Sequence, residues 1–326
     1  MPKLLASLIL CVLAVLAMPP AVAADPFPSR PVSIIVGVAP GGSLDALARL
    51  VAAQLSVELK QTVIVENVVG AGGLVGFQRL TKSEPNGYTL MFSNSSMVLI
   101  PLMFPKAGLD VVEDTTPIGQ VANVPMVMAV SNKSGIQDLP SLVARMKSSG
   151  PQINLGSGGP GTTSHLAEAM FVRMVGGQGE LVAYRGSGPA LADVMSGTID
   201  AIIDQTVTLT SLHQGKRLKA LAVSSPQPTT QLPDVPTFAE AGVPQFDMQI
   251  WNGLVAAKGT PPAVAEVLQK ALRRMVESPE WRERIGQLGA DVPPPAELGP
   301  EALRSTLQRD QKKLVGMAGE LGLQAR

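Results

Sequence analysis

Two glycine-rich segments carry backbone N–H and hydroxyl groups suited to holding an anion. The first is Ala39-Pro40-Gly41-Gly42-Ser43-Leu44-Asp45, and the second is Gly156-Ser157-Gly158-Gly159-Pro160-Gly161-Thr162-Thr163-Ser164-His165. Each follows an apolar run and opens a stretch with helical spacing. Its amides therefore lie at a helix N-terminus, where unpaired N–H groups and the helix dipole favour negative charge. Glycine lets the backbone approach a ligand closely, and Ser43, Ser157, Thr162, Thr163 and Ser164 add donors without fixed charge. Ser93 belongs to a Ser/Asn loop that closes another strand. Arg185 either meets a carboxylate or pairs with a surface acid. Asp204, ending a buried strand, either points into a cleft or caps a turn. His165 is a ligand-facing, capping or structural residue, and Asp45 is a first-turn acid that complements the helix dipole.

Nucleotide and catalytic chemistry are poorly supported. Gly156-x-Gly158-x-x-Gly161 matches a dinucleotide fingerprint, but the strand that should end in an acid ends in Tyr184-Arg185. Gly156 to Gly161 followed by Thr-Thr resembles a phosphate loop without its lysine. The chain lacks the G-x-S-x-G nucleophile elbow. A Ser–His pair would have to use His165 or His213, and His213 reads as a surface residue at a helix end.

The elements that position these loops alternate. Val32–Ala39 is a continuous apolar strand, Leu44 to Leu55 has helical spacing, and Thr62–Asn67, a helix over Leu74–Thr81 and a strand within Gly87–Ser96 follow. After residue 150 the order recurs, with a strand across TIDAIIDQTVTL and another over Arg217–Ser225. Such alternation predicts βαβ units and parallel sheets. Ile118–Val130 and Phe246–Ala257 read as extended crossings between two lobes, with a cleft between them. Thr260 reads as the cap of a helix opening at Pro261-Pro262, and a last helix covers Glu301–Met317. The predicted fold is α/β, with lobe one formed by 25–123 plus 252–326 and lobe two by 124–251.

Composition narrows the partners. The 326 residues hold 26 Lys+Arg, 26 Asp+Glu, two His, one Cys and 3% aromatics. Balanced charge without a basic stripe argues against nucleic acid, and so few His and Cys argue against a zinc site. The start, Lys3 then apolar Leu4 to Met18 and Ala21-Val22-Ala23-Ala24, reads as a cleavable export signal over 1–24. The single Cys, Cys11, falls inside it. Removal of 1–24 takes away Lys3 and leaves a net charge of −1. Export makes the periplasm the expected location.

The segments PSRPVSIIVGVAPGGSLDALAR, VIVENVVGAGG, SEPNGYTLMFSNSS, INLGSGGPGTTSHLAEAMF, VAYRGSGPALADVMSGTIDAIID, LPDVPTFAEAG and WNGLVAAKGTP resemble, in order, the substrate-binding receptors of tripartite tricarboxylate transporters, the Bug family. The resemblance implies a type II periplasmic binding protein with two lobes, a two-strand hinge and closure on a carboxylate held between the two glycine-rich loops. Carried onto this chain, the ligand-binding set is Pro40, Gly41, Gly42, Ser43, Asp45, Ser93, Ser157, Gly161, Thr162, Thr163, Ser164, His165, Arg185 and Asp204. Residues 161–164 are the strongest members. It further implies a monomer without cofactor or catalytic role. Its partner would be a membrane permease, and its ligand a dicarboxylate, tricarboxylate, acidic amino acid or aromatic acid. The family's usual Arg is absent: Asn67-Val68-Val69-Gly70-Ala71-Gly72-Gly73 stands where Asn-Arg-Pro-Gly-Ala-Gly-Gly is common. A periplasmic hydrolase and a sensor for a membrane kinase are the rival functions.

Overall fold

The computed structural model describes residues 26–320; the export signal expected over 1–24 lies outside them. In chain order the elements are β1 (Val32–Val36), α1 (Ser43–Leu59), β2 (Val63–Asn67), α2 (Leu74–Thr81), β3 (Thr89–Asn94), α3 (Ile100–Met103), β4 (Thr115–Val130), α4 (Leu139–Lys147) and β5 (Ile153–Ser157). They continue with α5 (Thr163–Val175), β6 (Gly179–Ala183), α6 (Ser187–Ser196), β7 (Ala201–Gln205), α7 (Thr206–Gln214), β8 (Lys219–Val223), β9 (Gln249–Ala257), α8 (Pro262–Glu277), α9 (Pro279–Gln287) and α10 (Pro300–Glu320). Among the described residues no helix is long and apolar enough to cross a membrane.

Burial explains the strands. Ile34, Ile35 and Val36 of β1 are fully buried, as expected where helices cover both faces of a parallel strand. On α1 the buried Leu47, Ala48, Val51, Ala52 and Leu55 recur at three- and four-residue spacing, which lays one face of the helix on the sheet.

The strands run in the order β2-β1-β3-β9-β4-β7-β5-β6, with β8 also on β4. Pairing is parallel at both flanks, β2-β1-β3 and β7-β5-β6. At the centre it is antiparallel, where β4 and β9 run. β4 joins the two halves: it pairs with β9 from Thr115 to Pro125, and from Met126 to Val130 it lies between β7 and β8. The fold is thus α/β with two lobes and a two-strand junction. The two crossings fall at Thr115–Val130 and Gln249–Ala257.

Two local expectations are corrected. The strand read through Thr206-Val207-Thr208-Leu209 stops at Gln205, and those residues open α7. The β-branched residues favour a strand, but tertiary packing overrides that preference. Thr206 donates to the Gly289 carbonyl at 3.1 Å, Val207 joins the core around α1 and β3, and Leu209 faces the core of the other lobe. Thr260 does not cap α8; its hydroxyl donates back to the Ala257 carbonyl at 2.8 Å, and Pro261 stands at the N-cap.

Candidate functional site

Where the two lobes meet, their loops touch. The Ala39 N–H donates to the Arg185 carbonyl at 2.8 Å across the cleft. Gly188 packs so closely on the first loop that a Cβ there would sit 2.2 Å from the Pro40 oxygen. Gly72 does the same toward lobe two, 2.1 Å from the Pro160 oxygen, at a φ of +59° that disfavours a side chain. These approaches flank a partly open cavity between the lobes, about 530 Å³ when counted out into the solvent at its mouth.

Helix starts converge on this cavity. α1 begins after its N-cap Gly42 and presents Leu44; α5 begins after Thr162 and presents Thr163 and Ser164. α6 begins after Gly186 and presents Ser187, while α7 is capped by Gln205 itself, which lines the wall. Four helix N-termini therefore border one space, where their dipoles favour negative charge. Among the described residues no Lys, Arg or His lines it; its one ionisable side chain is Asp204.

The second loop is organised by its own hydroxyls. Thr162 Oγ1 donates to the Gly159 carbonyl at 2.7 Å and accepts the His165 N–H at 3.4 Å, while the Gly158 N–H donates to Ser164 Oγ at 2.7 Å. The first loop is fixed by Asp45. One carboxylate oxygen accepts the Gly41 N–H at 3.1 Å and Arg49 Nε at 3.0 Å; the other accepts Asn67 Nδ2 at 2.8 Å and Arg49 Nη2 at 2.9 Å. Burial alone would raise the Asp45 carboxyl, but these donors outweigh it and hold it below the usual carboxylate range.

Ser43 bridges the lobes. Its hydroxyl lies 3.1 Å from Asp204 Oδ2, 3.2 Å from the Gln205 carbonyl and 2.7 Å from Thr208 Oγ1. Burial pushes the Asp204 carboxyl up, partly offset by hydrogen bonds from the Gln205 backbone and the Ser187, Ser43 and Thr208 hydroxyls. Beneath it Glu168 is fully buried: Oε1 accepts the Ile203 N–H at 3.2 Å and Oε2 has no partner. Burial, and then the neighbouring Asp204, push the Glu168 carboxyl well above the ordinary carboxylate range.

Of the candidate ligand set, Ser93, Thr162, Thr163, Ser164 and Asp204 line the cavity. Pro40, Gly41 and Gly42 instead form the contact with α6, Ser43 spends its hydroxyl on the bridge, and Asp45 braces its own loop. Ser157 accepts the Gly159 N–H at 3.3 Å, and Gly161 packs by Met103 and Gly72. Arg185 is exposed and lines an adjoining open cleft with Gly70, Ala71 and Tyr184. His165 is half-buried, which lowers its pKa, and among the described residues no hydrogen bond joins its ring to a serine or threonine hydroxyl. His213 sits near the end of α7, its Nε2 3.1 Å from Asp234.

Sequence reading missed Ser187, Asn94, Ser96 and Gln205. Ser187 had a usable signal, a Gly-Ser-Gly at a strand-to-helix turn like the two chosen loops. Gln205 had none: its amide oxygen accepts Asn252 Nδ2 at 3.1 Å from β9, a contact between residues 47 apart.

The model of the tripartite tricarboxylate transporter family receptor matches residues 47–302. The chain belongs to that family. BugT of Bordetella pertussis is 33% identical to this receptor over 304 residues, 92% of either chain. The solved periplasmic binding protein BugD is 32% identical with a TM-score of 0.87, over 92% of this receptor and all of BugD. MatC of Rhodopseudomonas palustris, solved with bound malate, is 29% identical with a TM-score of 0.84, over 89% of this receptor and 99% of MatC.

Proposed function

We propose that this receptor closes over a small organic carboxylate in the periplasm and delivers it to a membrane permease of the tripartite tricarboxylate type. The observation carrying this reading is the convergence of four helix N-termini on one cavity between the lobes, lined among the described residues by no side-chain cation. Helix dipoles and hydroxyls compensate the anion, and removal of water on closure strengthens each hydrogen bond. The malate bound to MatC supports the carboxylate class. The lobes would move as 25–123 plus 252–326 against 124–251, hinging where β4 changes partners.

A thermal-shift panel of mono-, di- and tricarboxylates, acidic amino acids and the matching neutral amides tests the reading. A true ligand at a hundred times its Kd adds about 2.7 kcal/mol and raises Tm by several degrees. Its amide should leave Tm unchanged. Amides that match their acids, or a panel without any shift, would remove the receptor reading.

A further inference from the structure

The two walls of the cavity differ in chemistry. Lobe two contributes Thr162, Thr163, Ser164, Ser187, Asp204 and Gln205 with two glycines, and no aliphatic side chain. Lobe one contributes five apolar side chains, Val38, Leu44, Met91, Met97 and Ile100. Two of its polar residues are occupied with each other: Asn94 Oδ1 accepts both the N–H of Ser96, at 3.1 Å, and its hydroxyl, at 2.7 Å. Ser93 is then the hydroxyl that wall offers a ligand. The N-termini of α5, α6 and α7 all belong to the polar wall.

We propose that the ligand is an amphiphilic acid with one carboxylate and an apolar tail, the carboxylate on lobe two and the tail on lobe one. The inference rests on the receptor reading above and narrows it. Inside the cavity a second carboxylate would have to leave water beside the Asp204 carboxyl, or against thioethers and aliphatic groups where the α1 N-terminus, which presents Leu44, is the one partial compensation among the described residues; Arg185 lines the adjoining cleft instead. Methionines at the tail end are flexible and polarisable, so this wall fits linear, branched and aromatic tails alike.

Calorimetric titration of the full chain, freed of co-purified ligand by dialysis from urea, decides the matter with length-matched pairs: butanoate and succinate, hexanoate and adipate, benzoate and terephthalate. The monoacid should bind at least ten-fold tighter than its diacid. Along the linear series affinity should rise about four-fold per methylene, the effect of burying one CH2. Diacids that bind as tightly as their monoacids overturn the inference and leave the receptor reading standing. Failure of every acid removes the receptor reading itself. In Met97→Gln, at a Tm matching the parent, hexanoate should lose five- to ten-fold and acetate nothing. Equal losses for both acids would take the tail away from Met97.

Discussion

Asp45 and Glu168 are buried carboxyls driven in opposite directions by what surrounds them. Asp45 is surrounded by donors and is held ionised. Its contribution to stability is present above the ordinary carboxylate range and is lost as pH falls through its lowered pKa. Asp45→Asn should cost about 1–3 kcal/mol at pH 7 and much less at pH 3, read from Tm against pH. The share from half-exposed Arg49, the first of its donors, is discounted by solvent screening; the bonds from Asn67 and Gly41 add to it. Glu168 has the reverse sign. Its raised pKa makes the folded state most favoured below the ordinary range, and that advantage is lost as pH rises through the folded value. Glu168→Gln should therefore raise Tm at pH 8 and flatten the alkaline limb of the stability profile. An unchanged profile would mean that Glu168 does not titrate. The position of Thr162, Thr163 and Ser164 on the cavity wall was legible because a hydroxyl run after glycines marks a helix start at the end of a parallel strand. The true duty of Asp45 was not, because its second brace, Asn67, comes from the end of a different strand.

The elements were legible wherever periodicity and local propensity agreed, as in β1, α1 and α2. They were misread at residues 206–209, where the contacts that make α7 a helix come from Gly289 and from both lobe cores. The same limit hid which loop faces would meet: Pro40 and Gly41 look like ligand contacts in isolation, and the approach of α6 claims them. That approach is testable. Gly188→Ala places a methyl 2.2 Å from the Pro40 oxygen, a collision created only when the lobes are together. Ligand affinity should fall at least ten-fold, and small-angle scattering with ligand should keep the radius of gyration of the open form. Normal closure with normal affinity would show that the Pro40–Gly188 contact is dispensable. Gly161 makes a poorer probe: its φ of +87° means that a valine strains the turn into α5 as well as the site.

At the scale of the molecule, β4 makes the two sheets one object, and the cavity is walled without a fixed positive charge. That second feature bears on kinetics. With 26 basic against 26 acidic residues, the chain has no net positive charge to draw an acid from a distance, and the dipoles that favour an acid act at short range, inside the cleft. Ligand should arrive by unguided diffusion, at an association rate nearly constant between 20 and 300 mM salt as read by stopped-flow fluorescence; a steered encounter would slow steeply over that range. Exposed Arg185, lining the adjoining cleft, is a cation placed to bend an incoming path, so residual salt dependence should weaken in Arg185→Ala. A receptor of this design captures its solute at the same speed in dilute and in brackish surroundings.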